Sequence, residues 1–224
     1  GTSVLSQGNW ETLDLPHTWN GEDGQDGGSD YYRGTCYYAK NLSKAEVAEG
    51  KEVYIEFEAA NSSAELFVNG ESVAKHDGGY STWRANITPY LKDENEIVVA
   101  VDNAPNDYVY PQNADFTFYG GLYRKVSLIL VDETRFDLDY YGSPAIKVTP
   151  EVTGDDAKIT TEVYLTNAGS TEELVFTITD GDTVVDTVTV SADKTEVEQT
   201  ITNVHLWNGR KDPHLYTMHA ELKK

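Results

Sequence analysis

The side chains able to do chemistry are few, and they do not gather into a catalytic spacing. The five histidines, His17, His76, His205, His214 and His219, show no His-x-x-x-His step on a helix and accompany no Gly-x-Ser-x-Gly elbow. A zinc centre or a Ser-His-Asp triad is therefore unsupported, and each imidazole is expected to pack or to hydrogen-bond. Cys36 is the only cysteine, which removes intrachain disulfides and thiolate zinc sites. Within Cys36-Tyr37-Tyr38 it reads as a small buried apolar residue. Residues 21–30 alternate acids with glycines, as a loop wrapped round a hard cation would. The register is not that of an EF-hand and no helix flanks it, so a solvated loop that needs glycine to turn is the better reading. Without a Lys it is no phosphate cradle. What remains is chemistry of contact. Trp19, Trp83, Tyr108, Tyr110, Phe116, Phe118, Tyr119 and Tyr123 carry rings that can stack on the C–H face of a sugar.

In a strand-rich chain such rings first fill cores, and about two thirds of these are expected to be buried. Residues 103–121 are the exception: a long segment bearing Pro and Asn between two confident strands, where functional loops lie. The elements around it follow from short alternating runs separated by Gly, Asn and Asp. Residues 53–58 alternate. Residues 65–68 run into Asn69-Gly70 and on to 72–76, the strongest short hairpin signal, because both turn residues accept positive φ. Residues 97–101 read as a strand buried on both faces, and 122–131 as another with Val126, Leu128 and Leu130 on one face. Only residues 43–49 suggest a helix, with one further turn at Thr88-Pro89-Tyr90-Leu91. The architecture predicted is sheet on sheet.

Composition changes near residue 135. Beyond it aromatics thin out, and regular strands are expected at 146–152, 158–167, 173–180, 184–191, 194–202 and 215–222. Their turns come at about the 8–12 residue spacing of an immunoglobulin-like sandwich. We therefore expect an all-β chain with two domains, residues 1–134 and 135–224. The charge balance, 17 Lys+Arg against 38 Asp+Glu for a net charge of -21, repels phosphate backbones, so nucleic acid and anionic membranes are poor partners. No run approaches the roughly 20 apolar residues of a membrane span, and no signal peptide is legible. Three sequons, at Asn41, Asn61 and Asn86, are near chance in a chain this rich in Asn, Ser and Thr.

Several motifs, in order, resemble family-two glycoside hydrolases. They are Asp14-Leu15-Pro16-His17-Thr18-Trp19-Asn20, Tyr31-Tyr32-Arg33-Gly34-Thr35-Cys36-Tyr37-Tyr38, the hairpin from Ala60 to Gly70, His76-Asp77-Gly78-Gly79-Tyr80 and Asn86-Ile87-Thr88-Pro89-Tyr90-Leu91. The most specific is Asp115-Phe116-Thr117-Phe118-Tyr119-Gly120-Gly121-Leu122-Tyr123-Arg124, which resembles the β-galactosidase variant more than the β-glucuronidase one. Leu206-Trp207 and Asp212-Pro213-His214-Leu215-Tyr216 resemble the end of the family's second domain.

The resemblance implies a jelly-roll, galactose-binding-like sandwich followed by an immunoglobulin-like sandwich. A TIM barrel carrying a retaining pair of glutamates would follow in cis. No Glu here matches either catalytic motif, so the resemblance implies no catalytic residue and no activity for this chain alone. It implies instead a supporting piece of a β-galactoside hydrolase that lends a loop to the pocket wall. Asp115 matches a family aspartate near the substrate hydroxyls and, in the parent, a monovalent cation; Asn103 is a second substrate-contact candidate. Gly120 and Gly121 are expected to serve backbone geometry, and Arg124 to pair with a carboxylate. No other cofactor or metal is implied. The parent is expected to be a periplasmic or secreted bacterial protein and a candidate homo-oligomer. Family members carry another strand before the first motif, where only about nine residues precede Trp10 here, so an exposed sheet edge or an unfilled groove is expected. Two alternatives stay open: an autonomous sugar-binding jelly roll on a linker domain, and a purely structural cell-surface pair in which Asp115 is buried in a local network.

Overall fold

The computed structural model describes residues 4–23, 31–43, 50–111 and 114–224. The helix expected over 43–49 and most of the acidic loop 21–30 lie outside the described residues. The chain divides into two compact units, Gly1–Asp132 and Glu133–Lys224.

The first unit holds β1 (Thr35–Ser43), β2 (Glu52–Phe57), β3 (Ser63–Val68), β4 (Glu71–Asp77), β5 (Trp83–Asn86), β6 (Glu94–Asp102) and β7 (Val126–Val131). They form two antiparallel sheets, ordered β1-β6-β3-β4 and β5-β2-β7. This is the jelly-roll sandwich. Alternation decides which side chains face inward: in β3, Ala64, Leu66 and Val68 are buried while Ser63, Glu65 and Phe67 are less so. Val53, Ile55 and Phe57 of β2 meet them from the opposite sheet, with Ile87, Val99 and Val101 completing the core. Asn69 and Gly70 take φ of 53° and 83°, the two left-handed residues that a tight hairpin between β3 and β4 requires. Thr88–Tyr90 forms a single 3-10 turn.

One reading is corrected here. The strand expected over 122–131 begins only at Val126, because the backbone just before it is held by loop contacts instead of a ladder. Leu128 and Leu130 do share the inward face with Ile55 and Val53, yet both are exposed, since β7 is the last strand of its sheet.

The second unit is the immunoglobulin-like sandwich. It comprises β8 (Arg135–Phe136), β9 (Ile146–Thr153), β10 (Asp156–Val163), β11 (Leu165–Thr166), β12 (Glu173–Asp180), β13 (Thr183–Ser191), β14 (Glu196–Ile201) and β15 (Thr217–Lys223). There are two three-stranded sheets, β14-β10-β9 and β13-β12-β15, and a separate short pair, β11-β8. Leu174, Phe176 and Ile178 of β12 face Ile159 and Val163 of β10 and Val197 and Ile201 of β14. The single strand expected over 158–167 is broken at Tyr164: its N–H still donates to the Ala145 carbonyl (2.9 Å), but Ala145 stands before β9 at φ of 60°, outside extended backbone, so the ladder ends there.

Candidate functional site

The loop between β6 and β7 is built on asparagines. Asn103, the first residue after β6, is 1% exposed. Its Oδ1 accepts from the Gly34 N–H (2.9 Å), and its Nδ2 donates to Asn20 Oδ1 (3.0 Å) and to the Phe118 carbonyl (2.9 Å). Asn20 Oδ1 also accepts from the Gly120 N–H (2.8 Å). Asn61 works from the other side: its Nδ2 donates to the Tyr119 carbonyl (2.7 Å), and its main chain bridges Gly121. Arg33 Nε donates to the Asn103 carbonyl (2.9 Å), and its guanidinium lies 4.8 Å from the Phe118 ring centre. The enclosed space beside Arg33, Asn61, Tyr80, Asn103 and Phe118 has room for about one water molecule, too little for a sugar ring.

Asp115 stands apart from this network. It is exposed and makes no hydrogen bond or ion pair with another described residue, so its oxygens are available to accept from hydroxyl donors. Phe116 and Tyr119, one and four residues further on, expose their rings. The structure thus separates the two candidates: Asp115 faces solvent, while the Asn103 side chain is occupied inside the loop base. Of the eight aromatic residues singled out, Trp83 and Phe118 are buried and Trp19 and Tyr123 are half-buried. Tyr108 (79% exposed), Tyr110 (84%), Phe116 and Tyr119 face outward. The expected two-thirds burial fails because the exposed rings all belong to the 103–121 loop, whose anchoring uses amides and leaves the rings outside.

Gly120 and Gly121 serve geometry. A side chain on Gly120 would enter the Trp19 ring; Gly121 has φ of +127° and packs against the His17 carbonyl and Tyr38 Oη. Arg124 does not meet its expectation. Among the described residues it donates to the Tyr80 carbonyl (3.0 Å) and lies over the Tyr123 ring (5.4 Å) rather than pairing with a carboxylate.

The sequence reading quoted Asn20 without a role and treated Asn61 only as a sequon. Both are buried. The available signal was an Asn next to an apolar strand or motif, where one short side chain supplies two donors and an acceptor to orphaned loop backbone.

Elsewhere the histidines bond or stack. His17 Nδ1 lies 2.8 Å from Tyr38 Oη, His76 Nε2 3.1 Å from Ser81 Oγ, and His205 Nε2 2.6 Å from Asp212. The His205 and His214 rings stack at 3.9 Å. Cys36 is half-buried on β1, and burial pushes its thiol pKa up, away from a reactive thiolate. Among the described residues no three His, Cys, Asp or Glu gather to hold a metal.

Glu162 and Glu196 lie directly opposite across β10 and β14, on an open face beside Asp137. Lys147 Nζ bonds both Glu162 oxygens (2.9 and 3.1 Å) and lowers its pKa. A general acid needs the reverse shift.

With this geometry in view, comparison with known proteins is direct. The sugar binding domain of glycosyl hydrolases family 2 matches residues 25–132, and a second model of glycosyl hydrolases family 2 matches residues 144–224. A β-glucuronidase of Bacteroides fragilis is 35% identical over 97% of this chain, and a β-galactosidase of Thermoanaerobacter pseudethanolicus 32% identical over 71%. The crystal structure of an FMN-binding β-glucuronidase from Faecalibacterium prausnitzii L2-6 superposes on 100% of this chain with a TM-score of 0.87 at 38% identity. The chain spans 33%, 23% and 35% of these three proteins respectively. Two consecutive family matches over two sandwiches in the same order place the chain in glycosyl hydrolase family 2.

Proposed function

We propose that this chain is the non-catalytic front of a hydrolase of terminal β-linked hexosides. In this reading its 103–121 loop forms part of the wall of a sugar pocket whose bond-breaking carboxyl pair lies on a catalytic barrel in cis. The observation that carries the reading is the contrast within the loop. A base of buried amides supports a segment on which Asp115, Phe116 and Tyr119 are exposed, Asp115 without a partner among the described residues. A carboxylate accepts from hydroxyls and a ring covers a C–H face; together they bind a sugar and break no bond.

Two sugars compete. The motif around Asp115 supports a β-galactoside. The curated relatives that cover nearly the whole chain are named β-glucuronidases, which supports a β-glucuronide, while a crystal structure titled a putative β-galactosidase from Bacteroides fragilis also covers 97% of it at 36% identity. Asp115 accepts hydroxyl protons from either.

The test is hydrolysis of 4-nitrophenyl β-D-galactoside and β-D-glucuronide. The purified chain should turn over neither, and the full-length gene product should turn over one. Turnover by the chain alone would overturn the reading. Calorimetric titration of the chain with both sugars addresses the alternative of an autonomous sugar-binding module. Binding no tighter than about millimolar supports a wall completed elsewhere, and micromolar binding supports the module.

A further inference from the structure

We infer that Asn20 is the positioning residue of this wall: its buried amide sets where Asp115, Phe116 and Tyr119 stand without itself meeting a ligand. The inference rests on the wall reading of the loop. Asn20 is 0% exposed, so whatever it does passes through its neighbours. An Asn side chain offers two N–H donors and an oxygen with two lone pairs, and here all four are used. Nδ2 donates to the Tyr32 carbonyl (2.8 Å) and to Asp23 Oδ2 (2.5 Å); Oδ1 accepts from the Gly120 N–H (2.8 Å) and from Asn103 Nδ2 (3.0 Å).

Asn103 extends the grip two residues along the same segment through the Phe118 carbonyl. Tyr31 Oη adds a second hold on Phe118, accepting from its N–H (2.6 Å) and donating to its carbonyl (3.1 Å). Asn61 takes Tyr119 and Gly121, and the His17 N–H takes the Leu122 carbonyl (2.8 Å). Every residue from 118 to 122 is thus fastened, and Asp115 and Phe116 project from the fastened end. Among the described residues Asn20 is the one side chain that bonds this segment, at Gly120, to both Asn103 and the chain at Tyr32.

No other side chain fits the pattern. Aspartate would aim carboxylate oxygens at the Tyr32 carbonyl and Asp23. An isosteric leucine would leave the Gly120 N–H and one Asn103 N–H buried without acceptors.

The experiment has two arms. In the first, amide hydrogen exchange is followed by NMR on the intact chain carrying Asn20→Ala. The Gly120 amide should exchange about tenfold faster or more, the consequence of one lost buried hydrogen bond. The amides of Leu66 and Val99, in β3 and β6, should keep their protection. Unchanged Gly120 exchange, or loss of protection throughout the first unit, overturns the inference. If Asn20→Ala does not fold, Asn20→Ser, which keeps a small polar group at the position and removes the amide that accepts from Gly120, is read in the same way.

In the second arm the full-length gene product is assayed on the two 4-nitrophenyl glycosides. Asn20→Ala and Asp115→Ala should each lower kcat/KM, and the double variant should fall no further than the worse single one, because both act through one loop. Multiplying effects overturn the positioning role. An Asp115→Ala enzyme at full activity overturns the wall reading instead, which the exchange arm does not test.

Discussion

At Gly121 the backbone φ of +127° lies where side chains are rarely accommodated, and a Cβ would sit 2.6 Å from both the His17 carbonyl and Tyr38 Oη. The carbonyl is main chain, on a residue whose N–H is held by the Leu122 carbonyl (2.8 Å), and cannot swing aside as a side chain would. Gly121→Ala is therefore expected to cost about 2–4 kcal/mol, from strain and overpacking together. A urea midpoint lowered without a change in slope would show it; an unchanged midpoint would mean that the loop relaxes. This constraint was legible in the sequence, because consecutive glycines before a strand announce special geometry. Asn20 was not. Its meaning depends on Asn103 and Gly120, 83 and 100 residues along the chain, and no local pattern carries that distance. Asp115 enters as a candidate only by resemblance, and its exposure carried no signal in the sequence.

At the scale of elements, strands that alternate cleanly were read correctly, and the β3–β4 hairpin was fixed by Asn69-Gly70. Failures have local causes: β5 is four residues long, and β10 stops at Tyr164, opposite the left-handed Ala145. One contact crosses the first sandwich in a way no periodicity reveals. The His76 ring of β4 stacks on Trp83 of β5 at 5.3 Å, and Trp83 stacks on Phe57 of β2 at 4.2 Å, linking the two sheets. Burial holds the His76 pKa below its ordinary 6.5, against the opposing pull of Asp77 and the Gly78 backbone. The unfolded chain then takes up a proton that the folded imidazole refuses. Stability from this residue is complete above about pH 6.5 and falls as pH drops from there toward the depressed value. Thermal melts between pH 7 and 5 should therefore show a shallower pH dependence for His76→Phe, which keeps a stacking ring without a titrating nitrogen, than for the wild type. Equal slopes would remove His76 from the acid sensitivity of the fold.

The molecule as a whole carries 38 acidic side chains against 17 Lys and Arg, so even complete pairing would leave most carboxylates without a cation. The pairs that form are mostly exposed, such as Lys158 with Glu151 (2.8 Å) and Glu198 (3.2 Å), and pairs of this kind contribute little each. Directly opposed acids such as Glu162 and Glu196 add repulsion within a sheet. Self-repulsion should thus outweigh attraction in the summed field, and it acts over distances that salt controls. Raising NaCl from about 0.01 to about 0.15 M shortens the screening length from roughly 30 to roughly 8 Å. If the surplus acid is what the field amounts to, this should raise Tm by about 2–4 °C, the shift that about 1 kcal/mol gives in a chain of this size. A Tm that falls over the same range would mean that pairs such as Lys147–Glu162 hold the fold more strongly than the excess charge strains it. The same screening should leave the Asn20 grip unaffected, because hydrogen bonds buried from solvent lie beyond the reach of mobile ions.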